Sequence, residues 1–529
     1  MLRGRALTSL LLFVLLIGGS CAAPVHPPPS AVTVRAAAVR DVAPLVDDIH
    51  ERTFRFFWDT ADPKTRLVPD RWPTKSFSSV AAVGFGLTAY PIGAERGWVT
   101  REQARQRVLE TLRFLANSPQ GPEPRGTIGY KGFFYHFLDM KTGERFEQVE
   151  LSTIDTSLLL AGILFCQSYY DGEHPEEKEI RELADRLYLR VDWSFFLVRP
   201  PVVSHAWWPE KGFNIYDWRG YDESMILYIL ALGSPTHPID PAAWAAYTGT
   251  NDWGSFYRYE HVAFEPLFGH QYSHVWIDFR GIQDAYMRGK GIDYFENSRR
   301  ATYSQRAYAI DNPQGFRGYG ENVWGLTACD GPVDGTFTID GKRRTFHTYW
   351  ARGAGMREVR DDGTIAPTAA VSSSAFAPEI VLPAIEAMHS RWGKDLVGQY
   401  GFVDAFNPTF TLENVSLQHG RVVPGVGWFD KDYLGIDQGP IVAMIENHRS
   451  GLVWETMKKN PYIVRGLERA GFTGGWLETS AAAPPPGPSP QPSPILPSPN
   501  REGGPLWGDI QSPSSPGGGR EAGRGGPGR

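Results

Sequence analysis

The chain has little cysteine. Three in 529 residues are too few for a disulfide scaffold. It has little charge of one sign: 53 Lys+Arg against 59 Asp+Glu leave −6. That mildly acidic balance excludes a general nucleic-acid binder, which carries a basic domain; Lys342-Arg343-Arg344 reads as a solvated turn. No apolar run is long enough to cross a membrane. Leu10 to Ile17 falls well short of the about 20 residues required. There is no Gly-x-Ser-x-Gly elbow and no P-loop. Gly84 to Ala89 (GFGLTA) copies the dinucleotide fingerprint after a possible strand, VAAV. No βαβ alternation surrounds it, however, and Pro91 would break the helix that must follow. Close helix packing is the better reading. No cofactor is expected.

Aromatic residues are in excess. Seventeen Trp, 22 Tyr and 29 Phe make 13% of the chain, which suits a large core and a cleft that stacks flat rings. The ends read as processing and linker segments. Arg3 and Arg5 precede the short apolar run, as in an export signal. Ser20-Cys21-Ala22 resembles a bacterial lipoprotein cleavage site, with Cys21 as the lipid-bearing N-terminus; Gly18 departs from that pattern, and cleavage before Ala23 is the alternative. The expected organisation is a signal at 1–21, a Pro/Ala-rich tether at 22–40, a folded domain at 41–480 and a disordered tail at 481–529. The tail holds 13 Pro, 11 Gly and 6 Ser and buries too little to offset its ordering entropy. The expected location is the periplasm or the outer membrane of a bacterium, with membrane contact only through the lipid. A monomer is expected.

The middle is helical. LVDDIHERTFRFFWDT has apolar residues at helical spacing. Thr100 caps the amphipathic helix that follows it, and 152–170 is apolar on every face. Further helices are expected at 176–196, 222–232, 241–247, 268–288, 292–310, 373–392, 438–447, 452–458 and 461–470. Apolar helices alternate with amphipathic ones. An all-α (α/α)6 toroid, with inner and outer rings and small β decorations, explains both the pattern and a 440-residue domain that exceeds the usual single core. Asp340-Gly341 reads as the turn of one β hairpin.

Carboxylates carry the chemistry. Asp155, Glu223 and Asp437 stand at expected helix starts, and Glu321 follows a glycine turn. In a toroid the inner helices begin at one end, so these acids converge on one cleft. Trp207, Trp208, Trp218, Trp276 and Trp324 are candidate sugar platforms. Glycoside hydrolysis needs an acid on the leaving oxygen and a base or nucleophile opposite. The competing role is helix capping, since acidic residues complement the macrodipole. A helix start lowers a carboxyl pKa, whereas a general acid needs it raised. Glu223, beside Asp222 and near Tyr221 and Trp218, fits the acid best. His270 and His274 have metal-ligand spacing, but Gln271 replaces the Glu of a zincin and no third ligand is evident. They read as hydrogen-bonding residues of a cleft or core, and no metal is expected.

Six segments in order, 78–100, 152–162, 220–230, 268–281, 312–332 and 428–454, resemble the bacterial glucoamylase-like family. That family includes the endo-β-1,2-glucanases of glycoside hydrolase family 144 and a domain of cyclic β-1,2-glucan synthases. The resemblance implies an (α/α)6 barrel, catalysis without metal, inversion at the anomeric carbon and a glucan polysaccharide or oligosaccharide as partner. It implies Glu223 as the acid and Asp155 as an essential pocket carboxylate, with the base in the Asp437 or Asp404 segment. Glu321, Trp207, Trp208, Arg219, Tyr221, His270, Gln271, His274, Trp276 and Trp324 are expected to contact substrate. A polysaccharide lyase on the same fold and a non-catalytic glycan-binding lipoprotein are the alternatives.

Overall fold

The computed structural model describes residues 43–481, and those up to Ser480 belong to one compact unit. The expected signal at 1–21 with Cys21, the tether at 22–40 and the tail from residue 482 onward lie outside the described residues. No described helix is long and apolar enough to cross a membrane.

Sixteen α-helices run through the described chain. They are α1 (Ala43–Thr60), α2 (Val80–Glu95), α3 (Arg101–Asn117), α4 (Thr153–Tyr169), α5 (Pro175–Leu189), α6 (Met225–Gly233), α7 (Ala242–Thr248) and α8 (Tyr272–Trp276). There follow α9 (Ala285–Lys290), α10 (Tyr294–Asp311), α11 (Pro367–Val371), α12 (Pro378–Leu396), α13 (Gly435–Arg449), α14 (Leu452–Met457), α15 (Pro461–Arg469) and α16 (Gly475–Ala481). Helices α2, α4, α6, α8, α11 and α13 are buried along most or all of their length. They pack on one another: α2 on α4 and α13, α4 on α6 and α8, α13 on α8 and α11. Amphipathic helices cover this inner set. Helix α1 lies on α2 and α13, α3 on α2, α5 on α3 and α4, α12 on α11, and α15 on α6.

The GFGLTA segment lies inside α2. A Cβ on Gly84 would stand 2.4 Å from the Leu158 carbonyl oxygen, and one on Gly162 would stand 2.0 Å from that of Gly84. These glycines let α2 and α4 touch backbone to backbone. VAAV begins the helix and is not a strand, and α2 continues through Pro91. The expected 268–288 helix is broken into a 3-10 turn (Leu267–His270), α8 and α9. His270 and His274 therefore do not share one helical face. Helix α6 starts at Met225, so Glu223 sits in the loop before it.

Short β pieces gather where the inner helices begin. Leu151–Ser152, just before α4, pairs with Phe134–Tyr135 and with Ala206–Trp207. Tyr433–Leu434, just before α13, pairs with Arg71–Trp72. Side-chain oxygens lock the same ends together. Ser273 Oγ accepts the Ile226 N–H at 3.0 Å, and Thr368 Oγ1 donates to the Asp437 carbonyl at 2.9 Å. The expected hairpin is present as Gly335–Ile339 against Lys342–Phe346. Its turn residues Asp340 and Gly341 have φ of 52° and 70°, the pair of left-handed residues that a tight hairpin turn uses.

Candidate active site

The N-terminal ends of the inner helices carry two groups of buried acids. The first surrounds α4 and the loop before α6. Ser152 caps α4 and accepts the Asp155 N–H, while its hydroxyl donates to Asp155 Oδ2 at 2.6 Å. Asp155 Oδ1 lies 3.4 Å from His136 Nε2, and the other ring nitrogen of His136 is 2.7 Å from Glu150. Burial lifts Asp155 above the usual carboxylate range, and the His136 charge and the Ser152 hydroxyl pull it back. Burial alone would lower His136. Asp155, Glu150 and Asp70 outweigh it and raise the imidazole to about 9. Glu223 is reached by solvent but walled by protein. Burial, then repulsion from Asp222 and Asp155, raises it well above the usual value. That is the protonated state a general acid needs.

The second group lies before α13. Asp437 is in the first turn of α13, Asp404 follows a two-residue strand, and Asp330 follows Ala328–Cys329. All three are almost fully buried, as are Asp430 and Asp432. The Asp330 N–H donates to Asp404 Oδ2 at 2.7 Å. Arg71 is the main cation, 2.7 Å from Asp330 and 3.7 Å from Asp432. Asp432 would rise on burial, but His419, Thr74 and Arg71 hold it below the usual range. Asp404 is raised to about 7 by burial and then by Asp330. Asp437 is raised further by burial and by Asp404, whose carboxyl is close enough to share a proton with it. One oxygen on each of Asp404, Asp430, Asp432 and Asp437 is buried without a protein donor.

Two tyrosines stand by these acids, Tyr272 by both groups and Tyr349 by the second. The Tyr272 hydroxyl is raised by burial and then by Asp437, Tyr349, Glu223 and Asp404. Tyr349 is 52% exposed, yet its hydroxyl is enclosed beside Asp437, Asp404, Asp70 and Asp330. The ring therefore overhangs the second group. Trp207 and Trp208 flank the first group, since their strand pairs with Leu151–Ser152. Trp207 packs on Tyr130 and Phe195, and Lys211 lies 3.8 Å from the Trp208 ring centre. Arg219 is exposed on the following loop.

Several expected contacts are corrected by burial. Trp276 is fully buried and donates to Thr88 Oγ1 at 2.9 Å, stacked on Phe85. Trp324 is also a core residue. Gln271 donates to the Ala369 carbonyl and Ser373, tying α8 to α11. Tyr221 stacks on Tyr294 with its hydroxyl near Ser298, and Trp218 stacks on His205. Both rings are held in the protein's packing, and Glu223 is raised by burial and then by like charges. His270 bonds the Phe264 carbonyl and His274 bonds Ser298, both fully buried. Burial lowers both imidazoles, His274 to about 3. They are neutral core residues and not a metal pair. Glu321 is 71% exposed and pairs with Arg306 on α10, outside both acidic groups.

Sequence reasoning missed Asp70, Arg71, His136, Glu150, Asp330, Asp430 and Asp432. Asp330, Asp430 and Asp432 lie inside segments already singled out (TACDGP, WFDKDYLG), so a count of acids per segment finds them. Among the described residues, Asp330–His419–Asp432 and Asp330–Asp404–Asp430 have ligating atoms within 4.8 Å of one another. In the first set the Arg71 guanidinium already supplies the positive charge that a metal ion would bring.

Buried inner helices that present paired, proton-bearing carboxylates at one end define a class: a helical protein equipped for acid–base chemistry on a ligand at the helix starts. Known proteins narrow the class. Residues 215–461 match the family model described as "Putative glucoamylase". A protein of the same description from Bacteroides uniformis is 33% identical, with a TM-score of 0.70 over 82% of this chain and 98% of that one. The chain belongs to the glucoamylase-like family. The endo-β-1,2-glucanase of Chitinophaga pinensis, solved with sophorotriose and glucose, is 28% identical with a TM-score of 0.70 over 82% of this chain and 99% of that one. The exo β-1,2-glucooligosaccharide sophorohydrolase of Parabacteroides distasonis is 29% identical over 459 residues, 80% of this chain. The present chain spans 57% of that relative's length.

Proposed function

We propose that this protein is a glycoside hydrolase that cleaves β-1,2-glucan, with its inner and outer helices closed into an (α/α)6 barrel. The observation that carries the proposal is the pairing of two unlike acidic groups at one end of the inner helices. Glu223 is kept protonated by burial and by its neighbours Asp222 and Asp155. Asp404 and Asp437 form a coupled pair with unpartnered oxygens. In the reaction Glu223 donates its proton to the glycosidic oxygen as the bond to the anomeric carbon breaks. The Asp404–Asp437 pair takes a proton from a water that attacks that carbon from the opposite face. The anomeric configuration inverts, and no covalent intermediate forms. Asp155 keeps a negative charge beside Glu223, which holds the proton on the acid until transfer.

Endo cleavage is proposed because the endo enzyme of Chitinophaga pinensis shares this fold over 99% of its length at 28% identity. The test is product analysis on linear β-1,2-glucan. A ladder of oligosaccharides, with the first-formed anomer inverted by NMR, supports the reading. Sophorose alone would mean exo action. Products absorbing in the ultraviolet would mean a lyase, and binding without cleavage would mean a glycan-binding protein. Export, with Cys21 lipidated, is part of the proposal. Cys21→Ser should move the protein from the membrane to the soluble fraction, and an unchanged distribution would exclude the lipid.

A further inference from the structure

His136 belongs to no segment singled out in the sequence, and no step above uses it. It sits at the bend between two short strands of different sheets, Phe133–Tyr135 and Phe137–Leu138. Its backbone N–H donates to the Glu150 carbonyl, and its own carbonyl accepts the Val80 N–H at the start of α2. Its ring stacks on Phe137 at 3.8 Å between centres. Backbone and ring are thus both held, and the two ring nitrogens face different carboxylates, Glu150 at 2.7 Å and Asp155 at 3.4 Å. We propose that His136 is a positioning residue: a cation clamped between Glu150 and Asp155 that keeps the Asp155 carboxylate ionised and oriented beside Glu223. The proposal rests on the assignment of Glu223 as the acid.

The surrounding charges make the argument. Glu150 is a fixed carboxylate on the far side of the ring. Burial would raise it, but the His136 hydrogen bond and charge, and Lys211, hold it below the usual range. Asp70 adds a third negative charge from the strand side and is itself balanced by Arg71. With three carboxylates around it, the imidazole stays charged to about pH 9. Among the described residues, the Asp155 carboxylate accepts from the Ser152 hydroxyl and faces His136. Without the cation, burial and the Glu150 charge would drive Asp155 to take up a proton. The repulsion that holds the proton on Glu223 would then weaken. His136 therefore sets the state of Asp155, which adds its charge to the burial and the Asp222 repulsion that hold the proton on Glu223.

The test is the pH profile of kcat/KM for His136→Gln and Glu150→Gln on β-1,2-glucan, with the melting temperature of each. His136→Gln should narrow the profile. The acidic limb moves up by about one pH unit or more, the size expected when a buried carboxylate loses a cation, and the basic limb does not move down, because Asp155 is ionised again at the pH where Glu223 loses its proton. Glu150→Gln should shift the acidic limb in the same direction by less, because it weakens the clamp and leaves the cation. Uniform loss of activity with the acidic limb unmoved, in step with a lowered melting temperature, would make His136 merely structural and overturn the proposal. Glu223→Gln separates this failure from the other. If Glu223→Gln keeps its turnover, the acid assignment fails. If Glu223→Gln is inactive while the acidic limb of His136→Gln stays in place, only the positioning role fails.

Discussion

Asp437 and Glu446 stand on the same helix, α13, near opposite ends, and both are buried. Glu446 is fully partnered. Arg96 reaches it with two nitrogens at 2.6 and 3.0 Å, and the Ser450 hydroxyl donates at 2.5 Å. The nearby His50 is driven to about 3 by burial and by Arg449 and Arg96, so it is neutral and bonds the Val442 carbonyl. Asp437 has no cation against it and one oxygen without a donor, and its neighbours Asp404, Asp330 and Asp70 are acids. The helix macrodipole favours the carboxylate at the Asp437 end and opposes it at the Glu446 end. The partners reverse that order. The Glu446 carboxyl is met by an arginine and a hydroxyl, whereas the Asp437 carboxyl is met by other acids and its proton affinity rises.

Four experiments sharpen or break this contrast. The largest effect is expected at Glu223. Glu223→Gln should lower turnover by at least about 10²-fold, with a smaller loss on a substrate whose leaving group needs no proton. Its melting temperature should not fall, since the amide is neutral without the proton that Glu223 must take up on folding. A loss that does not depend on the leaving group would move the acid role elsewhere.

Asp437→Asn and Glu446→Gln should then part in opposite directions. The first should lose activity and gain thermal stability at neutral pH. The second breaks a buried ion pair, costs on the order of 3 kcal/mol, and leaves turnover per folded molecule nearly intact. Melting curves and rates on the two proteins decide it, and parallel behaviour would end the distinction between the two ends of α13.

Third is the pH dependence of stability. Asp404 titrates at about 7 in the fold against about 3.9 unfolded. Between these values the folded state holds a proton that the unfolded state has released, so stability falls as pH rises from about 4 to 7. Asp404→Asn removes that slope. The difference in melting temperature between variant and parent should therefore grow across this window and level off above it; a constant difference would mean that Asp404 is not raised.

The smallest effect is expected at Glu321. Its pair with Arg306 is exposed, and such pairs contribute about 0–1 kcal/mol. Glu321→Ala should leave rate and melting temperature nearly unchanged, and a strong loss of activity would return it to the substrate contacts expected from its motif.

Local signals in the sequence proved legible where the physics is local. Ser152 and Asp155 could be read as a helix start because a cap needs only neighbouring residues. The all-apolar 152–170 run had to be an inner helix, since no face of it tolerates water. The Asp340-Gly341 turn was legible for the same reason. The 268–288 stretch misled, because its apolar spacing continues across breaks that tertiary contacts impose at Gln271 and Ile277. The tryptophans misled as well. A large ring serves a core and a sugar platform equally, and only burial separates Trp276 from Trp208.

The sequence by itself determined that the chain is mainly helical, that α4 and α13 begin with acids, and, through the family resemblance, that Glu223, Asp155, Asp404 and Asp437 are the acids to watch. Periodicity, capping and motif order are properties of short segments, and they survive without coordinates. Only the tertiary structure decided which charges are balanced. Arg71 meets Asp330 across 259 positions of chain, and His136 joins Asp155 to Glu150 from a separate strand. A carboxylate's proton affinity depends on burial and on charges within a few ångströms, and both are set by the closure of the fold, not by sequence neighbours.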